Sequence, residues 1–129
     1  MRLAAKAIIY HQNKYLLQLR DNIKGIKHPN CWSFFGGGIE SNESPEIALK
    51  RELVEELNWK PTNYKYRGKI EYNRKIEIYY FSVQYDENVE LILNEGKEMK
   101  WFTKKEIKGC RNLAPNIFEL INILKIEFR

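Results

Sequence analysis

Glu52, Glu55 and Glu56 lie at spacings of three and four residues along the chain. On a helix, those spacings make side chains neighbours. Like charges so placed cost a few tenths of a kcal/mol per pair, roughly. A divalent cation reverses that sign. Mg²⁺ takes hard oxygen ligands, keeps several waters, and bridges carboxylates to phosphates. Upstream stands a glycine triplet, Gly36–Gly38, where backbone approaches a metal or phosphate closely because no Cβ intervenes. Together these residues suit holding one or more divalent cations beside a phosphate. Taken alone, the trio reads first as a solvated acidic helix face with Lys50 and Arg51 nearby.

Such chemistry needs rigid elements to hold it. Ser44 is a candidate N-cap and Pro45 suits the first helical position. Asn58 falls where a left-handed residue ends a helix, and Pro61 prevents continuation. At 100° per residue, Ala48, Arg51, Glu52, Glu55 and Glu56 share one side of this helix, so the three carboxylates share one exposed strip. Ile47, Leu49, Leu53, Val54 and Leu57 cover the other side. Leu3–Tyr10 and Tyr15–Arg20 read as strands about the turn His11–Lys14. Asp21–Asn30 reads as a loop, Cys31–Phe35 as a short strand that the glycines break. Tyr64–Tyr72 and Lys75–Tyr85 form an antiparallel pair turning at Asn73-Arg74. Val89–Leu93 is a weaker edge strand and Met99–Phe102 a further strand. Thr103 caps a short helix Lys104–Lys108. Pro115–Phe128 closes the chain as a helix, with Ile117, Leu120, Ile121, Leu124 and Phe128 at helical spacing. The fold class is α/β, a mixed sheet between helices, in one domain spanning 1–129.

The order Gly37, five residues, Glu43, seven residues, Arg51-Glu52-Leu53-Val54-Glu55-Glu56 resembles the Nudix box, G-x5-E-x7-R-E-U-x-E-E-x-G-U, where U is bulky and apolar. The match arises by chance about once in a million chains at average residue usage. Asn58 replaces the pattern's second glycine and Trp59 fills its last position; asparagine tolerates the left-handed backbone next best. The resemblance implies an α/β/α sandwich that hydrolyses a nucleoside diphosphate linked to another moiety, using Mg²⁺ or Mn²⁺. It implies Glu52, Glu55 and Glu56 as metal ligands, with the carbonyl of Gly36 as a further one. Glu52 or Glu55 would help deprotonate the water. Gly37, Glu43 and Arg51 would support the site, Glu43 pairing with Arg51. Glu98, before Trp101-Phe102, matches an acidic residue that binds metal or acts as base in several relatives, and Glu95 is the neighbour that would replace it. Asn116, in LAPNIFEL, matches an asparagine that reads the base in the 8-oxo-dGTP-hydrolysing branch; it equally suits a helix start.

Arg20, ending YLLQLR, is the first candidate for added positive charge on the phosphates. Trp32, Phe34, Phe35, Tyr79 and Phe81 are open between stacking on a base and filling the core. His28 is a weaker substrate contact. The net charge of +5 favours anionic partners, a small nucleotide first and nucleic acid second. Cys31 and Cys110 have neither disulfide-framework nor zinc spacing, so a buried free thiol is expected at Cys31. The N-terminal apolar run is broken by charges, so neither a signal peptide nor a membrane span is expected, and a cytoplasmic setting is. Oligomeric state is open, a homodimer included. Two other readings compete with a nucleotide hydrolase: processing of RNA 5′ ends, and a binding or regulatory module without turnover.

Overall fold

The structure is a computed structural model, and it describes residues 1–22, 25 and 28–124. Two tight turns organise the sheet. β1 (Arg2–His11) and β2 (Lys14–Leu19) are joined by Gln12-Asn13, with φ of 46° and 66°. β5 (Tyr64–Tyr72) and β6 (Ile76–Gln84) are joined through Asn73-Arg74, with φ of 52° and 58°. Positive φ at both central residues matches the right-handed twist of paired strands. Between them lie β3 (Trp32–Ser33), β4 (Phe35–Gly38) and α1 (Pro45–Leu57). β7 (Glu98–Thr103), α2 (Lys104–Gly109) and α3 (Ile117–Ile123) follow.

β1 is the hub. It pairs antiparallel with β2 and β4 and parallel with β6, from Arg2↔Ile76 to Tyr10↔Gln84. β2 in turn pairs with β3 and β7, and β5 lies outside β6. The sheet is therefore mixed, as expected. Alternation along β1 divides the interior. Ala5, Ala7 and Ile9 meet Leu49, Leu53 and Leu57 of α1. Ile8 on the other face joins Tyr15, Leu17 and Phe102, packed against Ile107 of α2 and Leu120 and Ile121 of α3. This is the α/β/α sandwich. Among the described residues, no helix is long and apolar enough to cross a membrane.

The caps follow the sequence. Ser44 Oγ accepts the Ile47 N–H at 3.2 Å, and Asn58 ends α1 in the left-handed region (φ 55°, ψ 40°). Thr103 and Glu106 form a reciprocal capping box on α2.

Five expectations are corrected. The strand at Cys31–Phe35 breaks at Phe34, and the glycines do not end it: Phe35–Gly38 is β4. A Cβ on Gly36 would stand 2.2 Å from the Ala5 carbonyl oxygen, so glycine is what lets β4 approach β1. Residues 89–93 form no strand; they run along the end of α1, with Ile92 N–H donating to Leu57 O at 3.1 Å. α3 is shorter than Pro115–Phe128, and Phe128 lies outside the described residues. Ile47 stays exposed on α1 and Cys31 is only half-buried.

Candidate active site

A brace comes first. Arg51 donates from Nε to Glu43 Oε2 at 2.6 Å and from Nη2 to Glu43 Oε1 at 2.8 Å. The same Nη2 donates to the Gly38 carbonyl at 2.9 Å, and Nη1 donates to Glu52 Oε1 at 3.1 Å. One planar guanidinium thus ties the loop after β4 to the middle of α1, a geometry lysine cannot copy. The Arg51 bonds and the Glu40 N–H hold the Glu43 carboxyl far below its usual range, at about 2.

The carboxylates do not share one exposed strip, which corrects the helical-face expectation. Glu56 is only 2% exposed. Its Oε1 accepts the Gly36 N–H at 2.8 Å and its Oε2 accepts from Gln18 Nε2 at 3.2 Å. Periodicity placed Glu56 beside Glu52; the nearby amide of β4 and the Gln18 amide drew it inside. Burial raises its pKa, and the charges of Glu52 and Glu95 raise it further, while Lys6 and the Gly36 N–H oppose. The Glu52 side chain is 13% exposed. Burial raises its pKa too, against the opposing Arg51 bond. A Cβ on Gly37 would stand 2.5 Å from Glu52 Oε1, so Gly37 leaves room for that carboxylate. Glu55 is different: its side chain is 49% exposed and is held by Arg51 Nη1 at 3.3 Å.

Glu52 and Glu56 face a cleft of about 730 Å³. Its charged end also carries Glu95, Lys6, Arg20 and the glycines of β4. Its apolar end is lined by Phe34, Ile78, Tyr80 and Leu120. The Tyr72 and Tyr80 hydroxyls, also on the lining, hydrogen-bond at 2.8 Å. Asn116 opens α3 at φ 70°, lines the cleft, and makes no capping bond with its side chain.

Of the residues singled out in the sequence, the cleft brings together Gly36, Gly37, Glu52, Glu56, Arg20 and Asn116, with His28 and Phe34. Glu55 and Glu98 do not line it. Glu98 lies exposed on β7 opposite Leu19, and Glu95 lines the cleft in its stead. Phe35 and Phe81 are core, Trp32 packs edge-on against Phe102, and Tyr79 lies near Tyr66 on the α1 face. Sequence reasoning passed over Lys6 and Ser33. Ser33 Oγ, buried in the lining, is without a hydrogen-bond partner among the described residues. Lys6 carries a signal, a lone charge within AAKAII, that reads equally as the outward position of a strand.

The oxygen donors suit a hard divalent cation. Among the described residues, no group of three or more His, Cys, Asp or Glu is placed to hold a metal ion. Mg²⁺, however, takes one or two carboxylates together with substrate phosphates and water. Glu52 and Glu56 are hard oxygen donors; burial, joined at Glu56 by the charge of Glu52, works against their ionised forms, which a bound cation would favour.

A mixed sheet between helices is a fold shared with known structures. A MutT structure from a study of Aliivibrio salmonicida and Vibrio cholerae superposes with TM-score 0.78 at 21% identity, covering 96% of this chain and 97% of that one. The E. coli ORF135 protein superposes with TM-score 0.73 at 27% identity, covering 97% and 91%. The NUDIX domain family matches residues 1–122. The chain is 30% identical over 100 residues to an 8-oxo-dGTP diphosphatase of Buchnera aphidicola subsp. Schizaphis graminum, covering 77% of this chain and 76% of that one. It is 32% identical over 88 residues to an RNA pyrophosphohydrolase of Baumannia cicadellinicola subsp. Homalodisca coagulata, of which it spans 52%. The chain belongs to the NUDIX family and is a Nudix hydrolase.

Proposed function

We propose that the protein hydrolyses a diphosphate linkage in a small nucleoside diphosphate derivative with Mg²⁺, or Mn²⁺, bound. One observation carries this reading. A single cleft joins a carboxylate wall, Glu52 and Glu56, through cationic Lys6 and Arg20 to an apolar end that holds Asn116. A nucleotide has that same order of charge: polyphosphate, then sugar and base. The curated 8-oxo-dGTP diphosphatase relative supports a free nucleotide. Free thiols at Cys31 and Cys110 suit a cytoplasmic setting.

Glu52 and Glu56 would hold the cation, and the Gly36 carbonyl would join them. When bound there, the cation neutralises phosphate oxygens and lowers the pKa of a bound water. Glu52 is fixed by Arg51 and accepts the proton of the attacking water. Glu56 is held by the Gly36 and Gln18 donors. Arg20 places positive charge at the polyphosphate end. Glu95 adds the third carboxylate of the charged end in place of Glu98. Asn116 turns an uncommitted amide toward base recognition.

The deciding experiment is hydrolysis with Mg²⁺ across nucleoside triphosphates, oxidised nucleotides, nucleotide sugars and 5′-triphosphorylated RNA, with product identification. Metal-dependent release of a nucleoside monophosphate from a free nucleotide is expected. A preference for RNA that collapses with salt would redirect the assignment to RNA 5′ ends. No turnover on any substrate, with nucleotide binding intact, would make the protein a binding module.

A further inference from the structure

Lys6 is the cleft group whose presence the metal site does not explain. It sits mid-strand in β1, with its Cα opposite Gly36 on β4 and Tyr80 on β6. Ala5 and Ala7 on either side are buried toward α1, so Lys6 faces the cleft. Lysine is uncommon on a hub strand because burying its ammonium is costly without a partner. Its side chain makes no hydrogen bond or ion pair among the described residues. The charges that act on it are mixed: Glu56 and Glu52 attract, Arg20 and Arg2 repel. Burial works against the ammonium and Glu56 for it. An anion arriving in the cleft would supply the missing partner.

Position selects which anion. Gly36 belongs to the charged end, where its N–H holds Glu56. Tyr80 belongs to the apolar end, beside Ile78 and Phe34. Lys6 stands between them, at the junction of the two ends. In a nucleoside diphosphate derivative, the group at that junction is the phosphate attached to the nucleoside. Arg20 enters from the end of β2, where the backbone returns toward Cys31, so the two cations reach the ligand from different elements. We propose that the Lys6 ammonium binds the nucleoside-proximal phosphate, making that phosphate a required recognition element whatever the leaving group. The inference rests on the nucleotide reading above.

The test is calorimetric binding of the four nucleoside 5′-monophosphates and their matched nucleosides at saturating Mg²⁺. Wild type is compared with Lys6→Met and Lys6→Arg. Lys6→Met should weaken the best-bound monophosphate by at least about tenfold, the usual scale for a hydrogen bond to a charged group, and leave nucleoside affinity unchanged. Lys6→Arg should restore most of the loss. In turnover, Lys6→Met should raise KM more than it lowers kcat. Lys6→Gln takes its place if thermal melting shows that Lys6→Met does not fold. Unchanged monophosphate affinity overturns the inference, as do equal losses for monophosphate and nucleoside. So does a wild type that hydrolyses nucleotides yet binds none of the four monophosphates. A wild type that neither hydrolyses nor binds any nucleotide overturns the reading beneath it, a distinguishable result.

Discussion

The two faces of the sheet are built to opposite ends, although the same strands supply both. Toward α1, β1 offers Ala5 and Ala7, small enough for Leu49, Leu53 and Leu57 to close down on the sheet. Toward α3, the neighbouring positions Ala4 and Lys6 line an open cleft. The closed face also carries the brace, in which Arg51 locks Glu43, Gly38 and Glu52 together. On the open face, Ser33 Oγ has no hydrogen-bond partner among the described residues, and the Asn116 side chain makes no capping bond. Close packing thus backs the helix that carries the carboxylates, and one residue step along β1 separates that packing from the cleft.

Perturbing each side should break that separation in a graded way. Glu52→Gln should lower kcat by about a thousandfold, roughly 4 kcal/mol of barrier, with the melting temperature retained. Glu55→Gln should cost far less, because Glu55 lies outside the cleft; equal losses in steady-state assays would contradict the placement. Leu53→Ala, on the closed face, should cost about 3 kcal/mol of stability by opening a cavity, read from urea midpoints. Ser44→Ala should cost about 1 kcal/mol by removing the α1 cap. The smallest effect appears only in acid. Glu43 is depressed from 4.5 to about 2 by Arg51 and the Glu40 N–H. Its contribution is therefore full above pH 4.5 and is lost as pH falls toward about 2. Glu43→Gln should flatten the fall of the urea midpoint over that window.

Local chemistry was legible in the sequence wherever it was self-contained. Ser44, Asn58 and Thr103 cap as expected because a cap needs only its own turn of helix. Asn73-Arg74 turns as expected for the same reason. What failed depended on partners distant in sequence. Helical spacing grouped Glu56 with Glu52 and Glu55, yet its burial is decided by the amides of Gly36 and Gln18 on other strands. Val89–Leu93 alternates apolar and polar like a strand, but among the described residues no strand pairs with it, and Val89, Leu91 and Leu93 pack beside α1 instead. Glu95 and Glu98 look equivalent in sequence; only the register of Glu98 against Leu19 separates them. Lys6 is the plainest case. In a single strand its alternation signals solvent, and only a seven-stranded sheet with helices on both faces makes that direction a cleft.

The segment leading to Glu95 has no secondary structure of its own, yet the main-chain amides of Ile92 and Asn94 donate to Leu57 O and Glu56 O, and Asn94 Nδ2 donates to Glu55 O. Its lifetime is thus borrowed from the last turn of α1. In hydrogen exchange the amides of Ile92 and Asn94 should exchange in step with that turn, as one cooperative unit. Fraying of the helix end would release Ile92, Asn94 and the loop that carries Glu95 together, while the Gly36 and Gln18 donors on the strands still hold the Glu56 carboxylate.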